Sequence, residues 1–316
     1  MARPLTQADW EEVIADSRGY PFGLADVVQN DHVDSLAQKD GWLYVSTANR
    51  SDAPRGFRVF RSPSGAPASW EPADTLSGGP GFGDLANENL KGLTSFRGWL
   101  CGGTWNESTG GAIWCTRDGL HWQQKSSPGF APADVHIIWS LAAFDGALYA
   151  GGQSLSDNRA YLFRTPSIAT PHWEPVFIGE ANSGRVLLLG ALRGNLYIST
   201  RSPQGIRIWR SRDGVSWHAA SPPGMAHNRN NVDTIAGGAT RYHGALYVAV
   251  YNPRTGVQVW RTDGRSRTPR WELAAKPGLN DYRTFAAVLT VFHGELYAWT
   301  SNYTLGQSVL RATCMP

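Results

Sequence analysis

Cysteine is scarce: 316 residues hold only Cys101, Cys115 and Cys314. An odd number without close spacing argues against a disulfide framework or a zinc site. Cys101 and Cys115 could face each other across one hairpin, but small buried thiols are the expectation. Excess charge is missing as well. Lys and Arg number 29 against 26 Asp and Glu, a net +3. That is too little for the concentrated basic face that nucleic acid requires. No apolar run approaches about eighteen residues, so no membrane span is expected. The start shows no basic segment followed by an apolar run, so no leader is read and a cytoplasmic chain is expected. Walker loops, dinucleotide fingerprints and nucleophile elbows are absent.

Glycine (35), proline (19) and tryptophan (14) are plentiful, which suits many short strands joined by tight turns. The length exceeds one average domain, so internal repeats must be sought first. Six copies of one signature occur: Gly41-Trp-Leu-Tyr44, Gly98-Trp-Leu-Cys101, Gly146-Ala-Leu-Tyr149, Gly194-Asn-Leu-Tyr197, Gly244-Ala-Leu-Tyr247 and Gly294-Glu-Leu-Tyr297. Each glycine sits in a hairpin-type pair such as Asp40-Gly41 or His243-Gly244, because glycine accepts positive φ. A third strand follows, as in Val59-Phe-Arg-Ser62 or Ile208-Trp-Arg-Ser211. A fourth opens on Trp70, Trp122, Trp173, Trp217 or Trp271. The sixth repeat has no such residue before Pro316, and Trp10 supplies it. Intervals between these tryptophans run from 44 to 60 residues, and passing from Trp271 through the C-terminus to Trp10 gives 55.

Four antiparallel strands at this period describe propeller blades, each burying its faces only between neighbours. The fold expected is all-β, one six-bladed β-propeller domain over 1–316. Its blades cover about 33–74, 90–127, 137–178, 185–221, 232–276, and 283–316 joined by 9–16. The stretches GFGDLANENLKGLTSFRGWLCGGTWNESTGGAIWCTRDGLHW and GIRIWRSRDGVSWHAA resemble a widespread bacterial propeller repeat, over nearly the whole chain. The turns at 116–122 and 211–217 resemble shortened Asp-boxes of sialidase-like propellers, where that turn is a structural staple. The resemblance implies a fold and no activity, so function must be argued from a site.

In a propeller, the loops entering each first strand and those joining strands two and three ring the channel mouth, where a ligand is expected. Residues recurring in every repeat serve the blade; those occurring once are free for something else. Trp299 stands where other repeats have Ser46, Gly103, Gly151, Ser199 and Ala249. Trp139 stands where others have Asp34 or Lys91. Either tryptophan could wall a pocket or plug the channel. Trp105, Arg201 and Tyr251 end their second strands differently, and Glu88 and Tyr282 lie in entering loops. His32, His136 and His227 also fall in entering loops, as general acid or base or, less simply, as metal ligands with nearby Asp. Arg283 and Arg201 could hold an anionic group. Asp34 and Asp233 are expected to bond neighbouring backbone, and the recurring third-strand arginines to lie across tryptophan faces.

The reading is a small-molecule enzyme using acid/base chemistry, of lyase, cyclase, isomerase or hydrolase type. His136, His32, His227 and Arg283 would be catalytic. Trp139, Trp299, Trp105, Tyr251, Arg201, Tyr282 and Glu88 would bind substrate. No cofactor is predicted, and the chain is expected to be monomeric, without nucleic-acid or membrane partners. A glycan-binding module would need one equal site per blade, which the varied rim residues disfavour; a protein-interaction scaffold is the other alternative.

Overall fold

The computed structural model describes residues 32–49, 56–66, 69–292, 294–302, 304 and 306–312. The expected closing strand around Trp10, the loop Gln29–Asp31, and Arg50, His293, Tyr303 and Cys314 lie outside the described residues.

Those residues are mostly strand, arranged as consecutive antiparallel meanders. Unit 1 comprises β1 (His32–Lys39), β2 (Trp42–Ala48), β3 (Val59–Ser62) and β4 (Glu71–Pro72). Unit 2 comprises β5 (Asn89–Phe96), β6 (Trp99–Trp105), β7 (Ile113–Thr116) and β8 (Trp122–Gln124). Unit 3 comprises β9 (Val135–Phe144), β10 (Ala147–Ser154), β11 (Ala160–Thr165) and β12 (Glu174–Ile178). Unit 4 runs through β13 (Leu187–Leu192), β14 (Asn195–Thr200), β15 (Arg207–Ser211) and β16 (His218–Ala219). Unit 5 has β17 (Ala239–Tyr242), β18 (Ala245–Val250), β19 (Gln258–Thr262) and β20 (Glu272–Leu273). Unit 6 has three described strands, β21 (Thr284–Phe292), β22 (Glu295–Asn302) and β23 (Gly306–Arg311). The first strands β1, β5, β9, β13, β17 and β21 pack against one another in that order. Among the described residues no helix is long and apolar enough to cross a membrane.

The first hairpins of units 1 to 5 turn on two residues of positive φ: Asp40-Gly41, Arg97-Gly98, Asp145-Gly146, Arg193-Gly194 and His243-Gly244. Both central residues of a type I′ turn must be left-handed, which explains the recurring glycine. Three fourth-strand tryptophans stitch their unit to the one before it, whereas Trp217 Nε1 of unit 4 is buried without a partner. Trp122 Nε1 donates to Ala73 O at 3.0 Å, Trp173 to Lys125 O at 2.7 Å and Trp271 to Ala220 O at 2.7 Å. A Pro-Gly-apolar loop before the first strand drives a wedge beneath them. Phe82 packs 5.2 Å from Trp122, and Phe130 packs 5.7 Å from Trp173. Met225 and Leu279 hold the same place in units 5 and 6, each with positive φ.

The Leu-Tyr tyrosine works across the next junction. A Cβ on Gly119 would strike the Tyr44 hydroxyl, and one on Gly214 would strike that of Tyr149. The Asp-Gly turn of one unit is thus a socket for the tyrosine of the preceding one. Within these turns Asp213 caps the amides of Ser216 and Val215, which hold its carboxyl well below the usual carboxylate range.

Two sequence readings need correction. Third-strand arginines bond the glutamate after the next tryptophan: Arg61–Glu71 at 2.6 Å, Arg164–Glu174 at 3.2 Å and Arg261–Glu272 at 2.7 Å. Arg61 also lies 4.1 Å over Trp42, but Arg210 reaches the carbonyls of Ser266 and Arg267. Charge on the adjacent strand therefore holds these side chains more than aromatic faces do. Second, Cys101 and Cys115 are a disulfide, not free thiols. They are direct cross-strand partners. That register holds Tyr44–Arg61, Tyr149–Arg164, Tyr197–Arg210, Tyr247–Arg261 and Tyr297–Arg311 in the other units. Both members change together in unit 2. The turn that would receive a tyrosine there carries Ile168, packed on the two cysteines. Disulfides are rare in reducing compartments, which weighs against the cytoplasmic expectation.

Two outcomes follow from these junctions. Gly214→Ala should lose about 3 kcal/mol, from positive φ plus overpacking, and lower the thermal midpoint by several degrees. Gly194→Ala, also at positive φ but with open space around it, should lose only about 1 kcal/mol. Alkylation of denatured, unreduced protein should leave Cys101 and Cys115 unmodified in mass spectra, and prior reduction should expose both.

Candidate functional site

The ends of the second strands meet the starts of the following first strands. Asn49 N bonds Glu88 O at 2.9 Å, Asn106 N bonds His136 O at 2.9 Å and Val186 N bonds Gly152 O at 3.4 Å. Loops from successive units are thereby collected along one edge. Two of the first strands carry a one-residue bulge at the same place, and the extra residues are Asp34 and Trp139. A bulge re-aims the side chain it carries, so both residues leave the regular in-and-out alternation.

Trp139 is the centre of the arrangement. Its Nε1 donates to Gln153 Oε1 at 2.9 Å, and Gln153 is held in turn by Asn158 at 2.8 Å. The Trp105 ring lies 5.6 Å away, with its own Nε1 on Glu107 at 3.0 Å. Two cations border the indole: the Arg185 guanidinium at 4.2 Å and Lys91 Nζ at 5.3 Å. Lys91 Nζ bonds Asp34 at 2.7 Å, both side chains only 8% exposed, and Asn89 donates to the same carboxylate. Arg185 donates to Asp233 at 2.7 Å and to Thr234 O at 2.9 Å. Burial pulls the Arg185 guanidinium below its usual value, while Asp233 works upward and Arg201 downward. Arg201 also donates to Asp233, so two guanidiniums share one carboxylate and leave one positive charge in surplus. Asp233 further pairs by backbone with Tyr251, at 2.7 Å.

His136 stands on β9, three residues before Trp139. Its Nδ1 accepts the Leu155 amide at 3.3 Å, so Nε2 carries the proton of the neutral ring, 3.8 Å from Asp134 Oδ1. Trp105, Trp139 and Arg201 are therefore brought into one connected run; Tyr251 joins it through its backbone, and His136 stands beside it, its carbonyl accepting from Asn106 at 2.9 Å. Glu88 contributes backbone bonds beside it, to Asn49 and to Trp105.

The remaining predicted residues sit differently. Trp299 is 40% exposed on the face of β22 opposite Leu296 and Ala298, which pack on unit 5. Elsewhere this position faces the next unit: a Cβ on Gly103 would strike Ile138, and Ser46 bonds Leu90 O at 2.6 Å. Trp299 thus lies on the face of β22 turned away from unit 5. Arg283 is engaged by Asp281 at 3.2 Å and lies 5.4 Å over the exposed Tyr282. His227 is exposed, with positive φ, at the end of a single helical turn. The His32 side chain lies outside the described residues. Among the described residues no group of three or more His, Cys, Asp or Glu could hold a metal ion. Asp34 and Asp233 bond buried basic side chains, where backbone partners were expected. Lys91, Arg185, Gln153 and Glu107 were not foreseen as a set, because only the fold joins loops 50 residues apart.

No protein-family model matches the chain, and no curated protein matches it. Solved structures do resemble it. A Hadza microbial sialidase aligns with a TM-score of 0.53 and 13% identity, over 89% of this chain and 65% of its own. A Trypanosoma rangeli sialidase in complex with 2,3-difluorosialic acid gives 0.51 and 12%, over 88% of this chain and 53% of its own. A prolyl endopeptidase gives 0.52 and 12%, over 87% and 40%. The chain thus spans about half the length of the trypanosomal protein. At such identities the likeness shows the fold alone, a β-propeller-type assembly of antiparallel sheets, and that fold carries unrelated chemistries.

Asp233→Asn should cost about 2 kcal/mol in urea unfolding, because Arg185 is left half-buried without its counter-charge. The figure is discounted for the exposure of Arg201. Arg201→Gln should cost well under 1 kcal/mol, since the Arg185–Asp233 pair persists.

Proposed function

We propose that the chain is a single six-bladed propeller domain over 1–316, and a small-molecule enzyme of hydrolase type acting at the mouth around Trp139. The observation carrying this reading is the immobilised Trp139, fixed through Gln153 and flanked by Trp105, Arg185 and Lys91. The paired indoles supply a flat apolar wall, and the outer edge of Arg201 supplies the surplus positive charge. Such a mouth suits a small anion bearing an apolar or ring face.

His136 is the hydrogen-bond donor in this reading. Because the Leu155 amide occupies Nδ1, the ring meets substrate through its Nε2–H. That N–H would polarise the bond held over Trp139, while Asp134, 3.8 Å from Nε2, would take the proton of the attacking water and return it to the leaving group. Lys91 and Arg185 do not titrate in the cycle; they fix the charge around the indole. A second reading, glycan binding without turnover, is favoured by the Trp105–Trp139 pair, since indole faces stack on the C–H faces of sugar rings.

A panel of nitrophenyl esters and glycosides, with and without a carboxylate, tests both. His136→Gln should reduce kcat by about 100-fold or more with KM changed by less than about 3-fold. Trp139→Ala should raise KM or abolish binding. Sugar binding by wild type without release of nitrophenol from any member would exclude the hydrolase reading and favour the second.

A further inference from the structure

One turn on the edge opposite the mouth departs from its copies. In an antiparallel meander that edge carries the turns between strands one and two and between strands three and four. In the second kind of turn, eight residues separate Thr262 from Trp271, where units 1 to 4 use seven, five, seven and five. Arg265, Arg267 and Arg270 all lie among those eight, and each of the other four turns holds one arginine at most. We propose that this turn, with Arg193, Arg210 and Arg212 of the adjoining unit 4, binds an acidic polysaccharide through its sulfate or carboxylate groups. The surface stands apart from the mouth around Trp139 and does not depend on the reaction there.

Unit 4 holds the unit 5 turn in shape. Arg193 Nε donates to Asp263 O at 2.8 Å, and Arg210 donates to Ser266 O at 3.2 Å and to Arg267 O. Within the turn, Arg265 N donates to Asp263 Oδ1 at 3.0 Å, a Cβ on Gly264 would strike Leu192, and Pro269 is buried. Arg265, Arg267 and Arg270 are exposed on this fixed backbone. Their charge is not cancelled. Elsewhere the third-strand arginine faces a glutamate across the strand pair, as Arg61, Arg164 and Arg261 do, but Arg210 faces His218. The acids in the two turns are Asp213, which caps the amides of Val215 and Ser216, and Asp263, 3.6 Å from Arg265. Arg261 and Glu272 beside them neutralise each other. Six arginines against two aspartates leave four positive charges in surplus, more than the net +3 of the whole chain. Such a concentration draws a polyanion and holds it by releasing the polymer's counterions.

The class of polymer follows from the side chains around the charge. Guanidinium forks match the paired oxygens of sulfate and carboxylate. No indole is exposed here to stack on a base, since Trp217 and Trp271 are half-buried. Val215 is the one large apolar side chain exposed in the two turns, too small a foothold for a lipid surface. The Cys101–Cys115 disulfide suits an oxidising compartment, where an acidic glycan is a commoner neighbour than nucleic acid.

The test is binding of the full chain to heparin and to polygalacturonate, measured over a series of salt concentrations. Wild type should bind at least one of them. Arg265→Ser with Arg267→Ser and Arg270→Ser should weaken that binding at least about 30-fold and lower the slope of log Kd against log salt by about 2 to 3. Arg229→Ser with Arg254→Ser and Lys276→Ser removes the same charge from exposed side chains of the mouth-edge loops. That control should weaken binding by less than about 3-fold. Equal losses in the two triples, or no binding of wild type to either polymer, overturns the proposal. Tighter binding to a DNA duplex of matched length overturns it in favour of nucleic acid, and tighter binding to phosphatidylserine vesicles overturns it in favour of a membrane. Should the first triple lose its near-ultraviolet dichroism, Arg267→Ser and Arg270→Ser singly carry the test. Each should weaken binding about 3- to 10-fold, and a loss under about 2-fold in both overturns the proposal.

Discussion

The indole N–H that reaches back to the carbonyl of the preceding unit is the contact on which this architecture depends. A four-stranded meander has two apolar faces and cannot satisfy either alone. Packing alone would let neighbouring sheets slide, since apolar contacts have little direction. The Trp122, Trp173 and Trp271 bonds remove that freedom, because each fixes one sheet at one atom of its neighbour. The wedge residues fill the space that such an oblique bond leaves. Phe82 lies between Phe57 of the previous unit and Trp114 and Trp122 of its own. The left-handed glycine before it is required for the chain to turn into that narrow space.

The polar mouth follows from the same stitching. Once successive first strands are held side by side, Asp34 comes beside Lys91, and Arg185 beside Asp233 and Trp139. Half-buried charges tolerate this only in pairs, since an uncompensated ion there loses several kcal/mol of hydration. The bulges then lift Asp34 and Trp139, and at a second bulge of β9 also His136, out of the alternation of their strands. The Trp139 indole is therefore already oriented, which the proposed binding role would use.

Periodicity made the strands and hairpins legible, because the Gly-x-Leu-Tyr and Val-Trp-Arg-Ser patterns report two-sided burial in every copy. The odd residues Trp105, Trp139, Arg201, Tyr251 and His136 were legible as exceptions to that pattern, and the first three converge, with the other two beside them. Trp299 was not, since a departure from the repeat shows that a position differs and not which face it serves. Lys91 and Arg185 were hidden because their meaning lies in partners on other units. The disulfide was hidden too: spacing leaves Cys101 and Cys115 ambiguous, whereas register shows both replacing one Tyr–Arg pair.

The tyrosine sockets bear on how such a chain could have grown by duplication. Tyr44 is completed by Gly119 and Tyr149 by Gly214, so the interlocking pieces belong to adjoining copies. A gene segment cut at the ends of one meander would carry a tyrosine without its glycine. Tyr44 and Gly119 are 75 residues apart and Tyr149 and Gly214 are 65 apart, both longer than one repeat, so no cut of single-repeat length carries a complete pair. A copied repeat is thus completed only by its neighbours, wherever it is cut. The Cys101–Cys115 replacement, with Ile168 beyond it, marks a junction among the described residues where that coupling has been released.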